Sequence, residues 1–259
     1  MSEPPRDPLA GRGSGALHAG VLDALGSRLV SGALASGDVL TLDGIAREYA
    51  VSMPVAREAI RVLESMGMVS SRRRVGITVL ARGSWNVFDP RLIRWRLDGG
   101  SGGDRTAQLL SLSELRRGFE PLAAFLAAER ATPQQCARLS ASVADMVVHG
   151  RSGDLEAYLV ADVAFHQTLL EASGNEMMTA LGEVVTEVLA GRTHHHLMPA
   201  RPNPVAIRLH ADVAQAVQAG DADAAEQAMR EIIREAAQAM LDQHADDHPA
   251  PSEDPAGDA

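Results

Sequence analysis

Lysine is missing from this chain: all 24 of its basic residues are arginine. Cysteine is nearly missing too, with Cys136 alone, which excludes an internal disulfide and any multi-cysteine zinc site. A small packing residue is the expected role of that thiol. Aromatic residues contribute only 3% while hydrophobic residues reach 46%, so the interior is expected to be helical and rich in alanine rather than built on large rings. No apolar run approaches the roughly 18 residues that span a bilayer, and the opening MSEPPRDPLAGRGSG has no apolar signal core. The expectation is a soluble, cytoplasmic protein with no membrane partner.

With 259 residues, the chain is long enough for two domains, each with its own core. The formal charge of −10 is unevenly spread. Residues 1–97 hold 13 Arg against 9 acids, a net of +4; the remainder holds 11 Arg against 25 acids, a net of −14. A basic front and an acidic rear imply that only the front meets a polyanion.

Five segments follow from composition and periodicity. Residues 1–16, rich in Pro, Gly and charge, are expected to be a disordered arm. Residues 17–82 carry a helix with Leu17, Val21, Leu25, Leu29 and Val30 at helical spacing, a short helix from about Asp43 to Tyr49, and a third helix that Ser52 should cap and that runs to about Met66. Gly67 ends the third helix, and two extended pieces, Met68 to Ser71 and Ile77 to Leu80, read as a hairpin. Residues 83–103 form a connector. Residues 104–243 read as about six helices of bundle length, and residues 244–259 as a disordered acidic tail. The fold class is mainly α: a winged helix-turn-helix followed by an all-α antiparallel bundle.

The third helix, within VSMPVAREAIRVLESMGMV, separates its chemistry by face. Val55, Ala59, Val62, Leu63 and Met66 form an apolar stripe, while Arg57 and Arg61, four apart, share another face. Such arginines suit a guanine edge or a phosphate, and the helix start near Ser52 suits a phosphate. Arg72, Arg73, Arg74 and Gly76 fall at the tip of the hairpin, where a basic wing follows the DNA backbone or enters the minor groove. The bland reading is solvated surface charge; clustering on one helix and one hairpin in an acidic protein favours double-stranded DNA. The segment with SRRRVGITV resembles the DNA-binding domain of GntR-type regulators through Arg57, Glu58, Ala59, Arg61, Leu63, Glu64, Gly67, Val69 and Gly76. Met53 stands where that family usually has arginine.

In the rear segment polar residues interrupt apolar stripes. Leu155, Leu159, Asp162, His166 and Leu169 share one helix face; Ile207, His210, Val213 and Val217 share another; Leu109, Leu112, Arg116, Phe119, Ala123 and Leu126 a third. Buried carboxylate, imidazole and guanidinium groups are costly unless paired or metal-bound. Taken singly each reads first as a satisfied core group; together they outline a pocket for an anion beside a divalent metal such as Zn, Ni or Mn, with Asp162, His166 and His210 as ligands.

ELRRGFEPLAAFLAAERAT, DVAFHQTLLEASGN and LHADVAQAVQAGDADAAEQAMREII are similar to the FCD ligand-binding domain of the FadR branch of GntR regulators. That resemblance implies a metal held by Asp162, His166 and His210, with Ile232 at the place of a fourth ligand, and an effector carboxylate met by Arg116. RGSWNVFDPRLIRWRL resembles the connector of galactonate-operon repressors and related sugar-acid regulators, with Trp85 and Trp95 expected to seat one domain on the other. The implied protein is a homodimeric repressor that responds to a sugar acid such as galactonate or gluconate, and not an enzyme. Two alternatives are a metal-dependent enzyme acting on a small acid and a DNA-binding protein that has lost sensing. His194, His195 and His196 read first as a solvent-facing helix end and second as contributors to the pocket mouth, with Thr186 and Asn175 as further candidates.

Overall fold

The structure is a computed structural model that describes residues 14–99, 102–199 and 201–247. The chain divides after Ser101 into two compact units.

The first unit opens with α1 (Ser14–Val30), which buries Val21, Leu22, Leu25 and Leu29. After β1 (Val39–Leu40), Thr41 caps α2 (Leu42–Glu48) by accepting from the Gly44 amide at 3.0 Å. α3 (Met53–Ser65) follows with Ser52 at its N-cap and Pro54 in its first turn. The Ser52 hydroxyl makes no capping bond. The buried stripe of α3 is Ala56, Ala59, Ile60 and Leu63, continued by Met66. It is rotated slightly from the expected one, leaving Val55 and Val62 half-buried.

β2 (Val69–Arg72) and β3 (Gly76–Val79) pair antiparallel, with Arg72 opposite Gly76. The hairpin is thus the expected one, shifted by a residue. β1 adds a third strand on the other edge of β3, in the order β1-β3-β2. Two residues carry too little alternation for β1 to be read from sequence. Arg73, Arg74 and Val75 make the hairpin tip, where Arg74 (φ 68) and Gly76 (φ 111) are left-handed.

The connector is not a bare link. Residues 82–84 form a 3₁₀ turn, and α4 (Pro90–Gly99) packs on α1. Trp85 and Trp95, expected to join the two domains, both lie in the core of this first unit. The Trp95 ring covers Gly26, where a β-carbon would come within 2.4 Å of it, and its indole N–H donates to Asp23 at 3.0 Å. The physical reason is that a small residue on α1 leaves a slot that the Trp95 ring fills.

Gly67, the expected helix stop, is needed twice over. Its φ is 71, and a β-carbon there would lie 2.2 Å from the Ser84 carbonyl oxygen. Gly67→Ala is therefore expected to destabilise the first unit by about 2–3 kcal/mol, read as a lowered Tm in a thermal melt.

The second unit is a helical bundle: α5 (Gly102–Arg130), α6 (Pro133–Ser152), α7 (Leu155–Ala172), the short α8 (Glu176–Ala180), α9 (Gly182–His194), α10 (Pro204–Ala219) and α11 (Ala222–Asp247). The expected helix between SGN and MPARPNP is split in two at Leu181–Gly182. Thr132 and Gln135 form a capping box at α6, while Asp154 and Asn203 cap α7 and α10. α11 packs most extensively on α5 and α10, and α7 on α6 and α9. Helix continues through residues 244–247, which were expected to begin a tail. The rest of that tail and residues 1–13 of the arm lie outside the described residues. Among the described residues no helix is long and apolar enough to cross a membrane.

Candidate functional site

Polar residues at core positions of α5, α7, α9 and α10 meet at one buried place. Arg116 on α5 is 2% exposed and Glu120, one turn later, 0%. Arg116 donates to Glu120 from Nε at 2.5 Å and from one terminal nitrogen at 3.1 Å, the two-pronged geometry that suits guanidinium and carboxylate. On α7, His166 places Nδ1 2.9 Å from Glu120 Oε2 and Nε2 3.4 Å from Asp162 Oδ1. On α10, His210 places Nδ1 2.7 Å from the Ala206 carbonyl oxygen and Nε2 3.2 Å from Asp162 Oδ1.

Burial alone would push the Glu120 carboxyl up, but Arg116 and His166 overcome it and hold the group at about 2. Burial likewise opposes the charge of Asp162, yet His166 and His210 beside it keep its carboxyl well below the usual range. His166 is shifted upward despite burial, because Glu120 and Asp162 favour its cation.

The proton positions follow from these partners. In a neutral His210 the Nδ1 proton goes to the Ala206 carbonyl, which leaves a lone pair on Nε2 facing the lone pairs of Asp162 Oδ1. Both atoms are buried and neither has a hydrogen-bond partner. Two acceptors 3.2 Å apart repel unless a proton or a metal cation lies between them. His166 completes the arrangement once it gives up the second proton that Glu120 and Asp162 favour: with its Nδ1 proton on Glu120, its Nε2 then offers a lone pair. Ligand atoms of Asp162, His166 and His210 all lie within 4.8 Å of one another. One oxygen and two imidazoles, each ring oriented by an outer acceptor, fit a divalent transition metal. Metal chemistry here would be Lewis acidity toward an oxygen donor.

Ile232 of α11, 4% exposed, lines the same cavity and supplies no donor. The cavity measures ≈30 Å³ and is also lined by Tyr158, Arg192, Met198, Pro202 and Glu235. That volume holds an ion and about one or two water-sized groups.

Sequence reasoning singled out Arg116, Asp162, His166 and His210, and the fold brings all four together. It missed Glu120 and Arg192. The spacing of Glu120 four residues after Arg116 was the available signal for the first. For the second it was the inward row Val185, Leu189, Arg192. None of His194, His195 and His196 lines the cavity; His194 is exposed and faces Glu156 at 3.5 Å. Asn175 caps α8, and Thr186 bonds Gln167 and the Gly182 carbonyl.

In the first unit Arg57, Arg61, Arg72, Arg73 and Arg74 are all exposed. Arg61 pairs with Glu58 at 3.2 Å. The Ser71 amide donates to Glu64 of α3 at 2.6 Å, so the wing is tied to the arginine-bearing helix.

Residues 17–79 match the bacterial regulatory proteins of the gntR family, and residues 111–235 match the FCD domain. The galactonate operon transcriptional repressor of Escherichia coli K12 is 29% identical over 212 residues, which cover 81% of this chain and 90% of that protein. The regulator LutR of Bacillus subtilis 168 is 30% identical over 160 residues, covering 61% of this chain and 69% of that one. The solved structure of E. coli McbR/YncC shares the fold at 21% identity with a TM-score of 0.52, over 88% of this chain and 98% of that one. With a gntR domain in front and an FCD domain behind, this chain belongs to the GntR family and is a DNA-binding transcription regulator.

Proposed function

We propose that the protein is a cytoplasmic homodimeric repressor that leaves its operator when a small carboxylate, a sugar acid such as galactonate or gluconate, enters the metal-assisted cavity of the helical unit. The observation that carries this reading is the concentration of unsatisfied buried atoms: Asp162 Oδ1, His210 Nε2 and Arg192 Nε all lie in the walls of one cavity. A packing core satisfies such groups, whereas a binding site keeps them for its ligand. The galactonate-operon repressor among the relatives supports the sugar-acid class. Zn, Ni or Mn, held by Asp162, His166 and His210, would offer open positions to a carboxylate and an adjacent hydroxyl, because Ile232 leaves the set at three protein ligands.

At ≈30 Å³ the cavity is smaller than a six-carbon acid. Entry of such an acid displaces the wall formed by Met198, Pro199 and Pro202, and this displacement is the change that ligand binding couples to DNA affinity.

On the DNA side, Arg57 and Arg61 of α3 read or grip the major groove, the amides near Ser52 take a phosphate, and Arg72, Arg73 and Arg74 follow the backbone from a tip shaped by Gly76. Two copies present two such helices to a pseudo-palindromic site. Gel shifts with DNA flanking the protein's own gene, repeated with galactonate and gluconate, test the proposal. Sequence-specific retention that either acid relieves is expected, and indifference to all such DNA would sink it. Arg57→Ala is expected to weaken operator binding roughly tenfold and to lower the salt slope by about one, while leaving the acid's effect on Tm intact.

A further inference from the structure

Two arginines border the cavity, and their situations differ. Arg116 has a carboxylate of its own: Glu120 accepts from its Nε at 2.5 Å and from a terminal nitrogen at 3.1 Å. Arg192 of α9 is 7% exposed and lines the cavity with an Nε that has no partner. Buried guanidinium groups are stable only when an anion or acceptors complete them. Arg116 is complete within the protein and Arg192 is not.

Charge gives the same answer. Arg116 cancels Glu120. With a divalent ion held by two neutral imidazoles, that ion and Arg192 would face Asp162 and Glu235, and Glu235 already accepts from the Asn203 amide at 2.9 Å. Loaded in this way the site would keep one positive charge, which a monoanion would balance. In a monocarboxylate bearing a 2-hydroxyl, the hydroxyl and one carboxylate oxygen can meet the metal while the carboxylate still accepts from a guanidinium.

We infer that Arg192, rather than Arg116, is the receptor for the effector's carboxylate, and that the site selects monoanionic 2-hydroxy acids over their neutral analogues. Arg116 is a positioning residue, fixing Glu120 and through it the ring of His166. This assignment rests on the proposed reading of the cavity as an acid-responsive site.

The test compares each acid with its uncharged amide, galactonate with galactonamide and lactate with lactamide, by calorimetry on the full-length, metal-loaded protein. The wild type is expected to prefer the acids roughly 100-fold, the weight of about two charge-assisted contacts. In Arg192→Met that preference shrinks to less than about fivefold with metal content unchanged. A merely structural role for Arg192 would weaken acid and amide alike, leaving the preference intact, and that result overturns the inference while sparing the acid-responsive reading. If the methionine variant does not fold, Arg192→Lys is read in its place: the charge remains, the fork is lost, and the preference falls roughly tenfold. A wild type that binds neither acid overturns both statements together.

Discussion

Replacing Glu120 with alanine is expected to destabilise the helical unit by about 3–5 kcal/mol, the usual cost of breaking a buried ion pair by removing one partner. Glu120 is 0% exposed and accepts from Arg116 at 2.5 and 3.1 Å, with His166 Nδ1 at 2.9 Å on the same carboxylate. Its loss leaves the Arg116 guanidinium in the core without the carboxylate that accepts from it. The downward shift of the carboxyl from 4.5 to about 2 is worth about 3 kcal/mol by linkage, in line with that range. The sign follows from the direction: a folded-state value below the unfolded one stabilises above pH about 4.5 and loses that stabilisation as pH falls toward about 2. Denaturant melts of the wild type should therefore weaken across that window, and Glu120→Ala should flatten the dependence. The double variant Arg116→Met/Glu120→Met should recover most of the loss at neutral pH, since it removes both charges and fills a similar volume. Equal melts for wild type and Glu120→Ala would mean the pair contributes nothing.

Asp162→Asn is expected to lower metal affinity by roughly a hundredfold or more, beyond what loss of an outer partner costs. The side chain keeps its shape, but an anionic ligand becomes a neutral amide whose N–H₂ competes for the same lone pairs on His166 and His210. Asp162 Oδ1 is the atom both rings approach, at 3.4 and 3.2 Å. The measurement is competition against a chelator of known affinity with protein purified without a histidine tag. Stoichiometric metal retained by the variant would remove Asp162 from the ligand set. Loss of metal should take with it the stabilisation by sugar acids, while operator binding in the absence of acid persists.

Much of this was readable from short-range pattern. Arg57 and Arg61 fell on the outer face of α3 because a helix of 3.6 residues per turn leaves them no other place once Ala59 and Leu63 are inside. The wing was visible through its β-branched residues and turn glycine, and Asp162 and His166 through their place in an apolar row. β1 was not visible, since two residues on the edge of a small sheet leave no pattern. From sequence α4 looks like a linker, because its packing partner, the slot over Gly26, lies some seventy residues earlier in the chain. Arg192 lies in the same kind of inward row, with Val185 and Leu189; what the row could not show is that no side chain from another helix completes its Nε.

The sequence by itself determined which side chains turn inward and which face solvent, because helical and strand periods are local properties of the backbone. Only the tertiary structure decided who meets whom. It set Asp162 beside a histidine from another helix, gave Arg116 a carboxylate of its own and left Arg192 without one. Periodicity names a face, whereas the partner opposite that face depends on how distant helices pack, and so does whether a buried charge is balanced or still awaits its counter-ion.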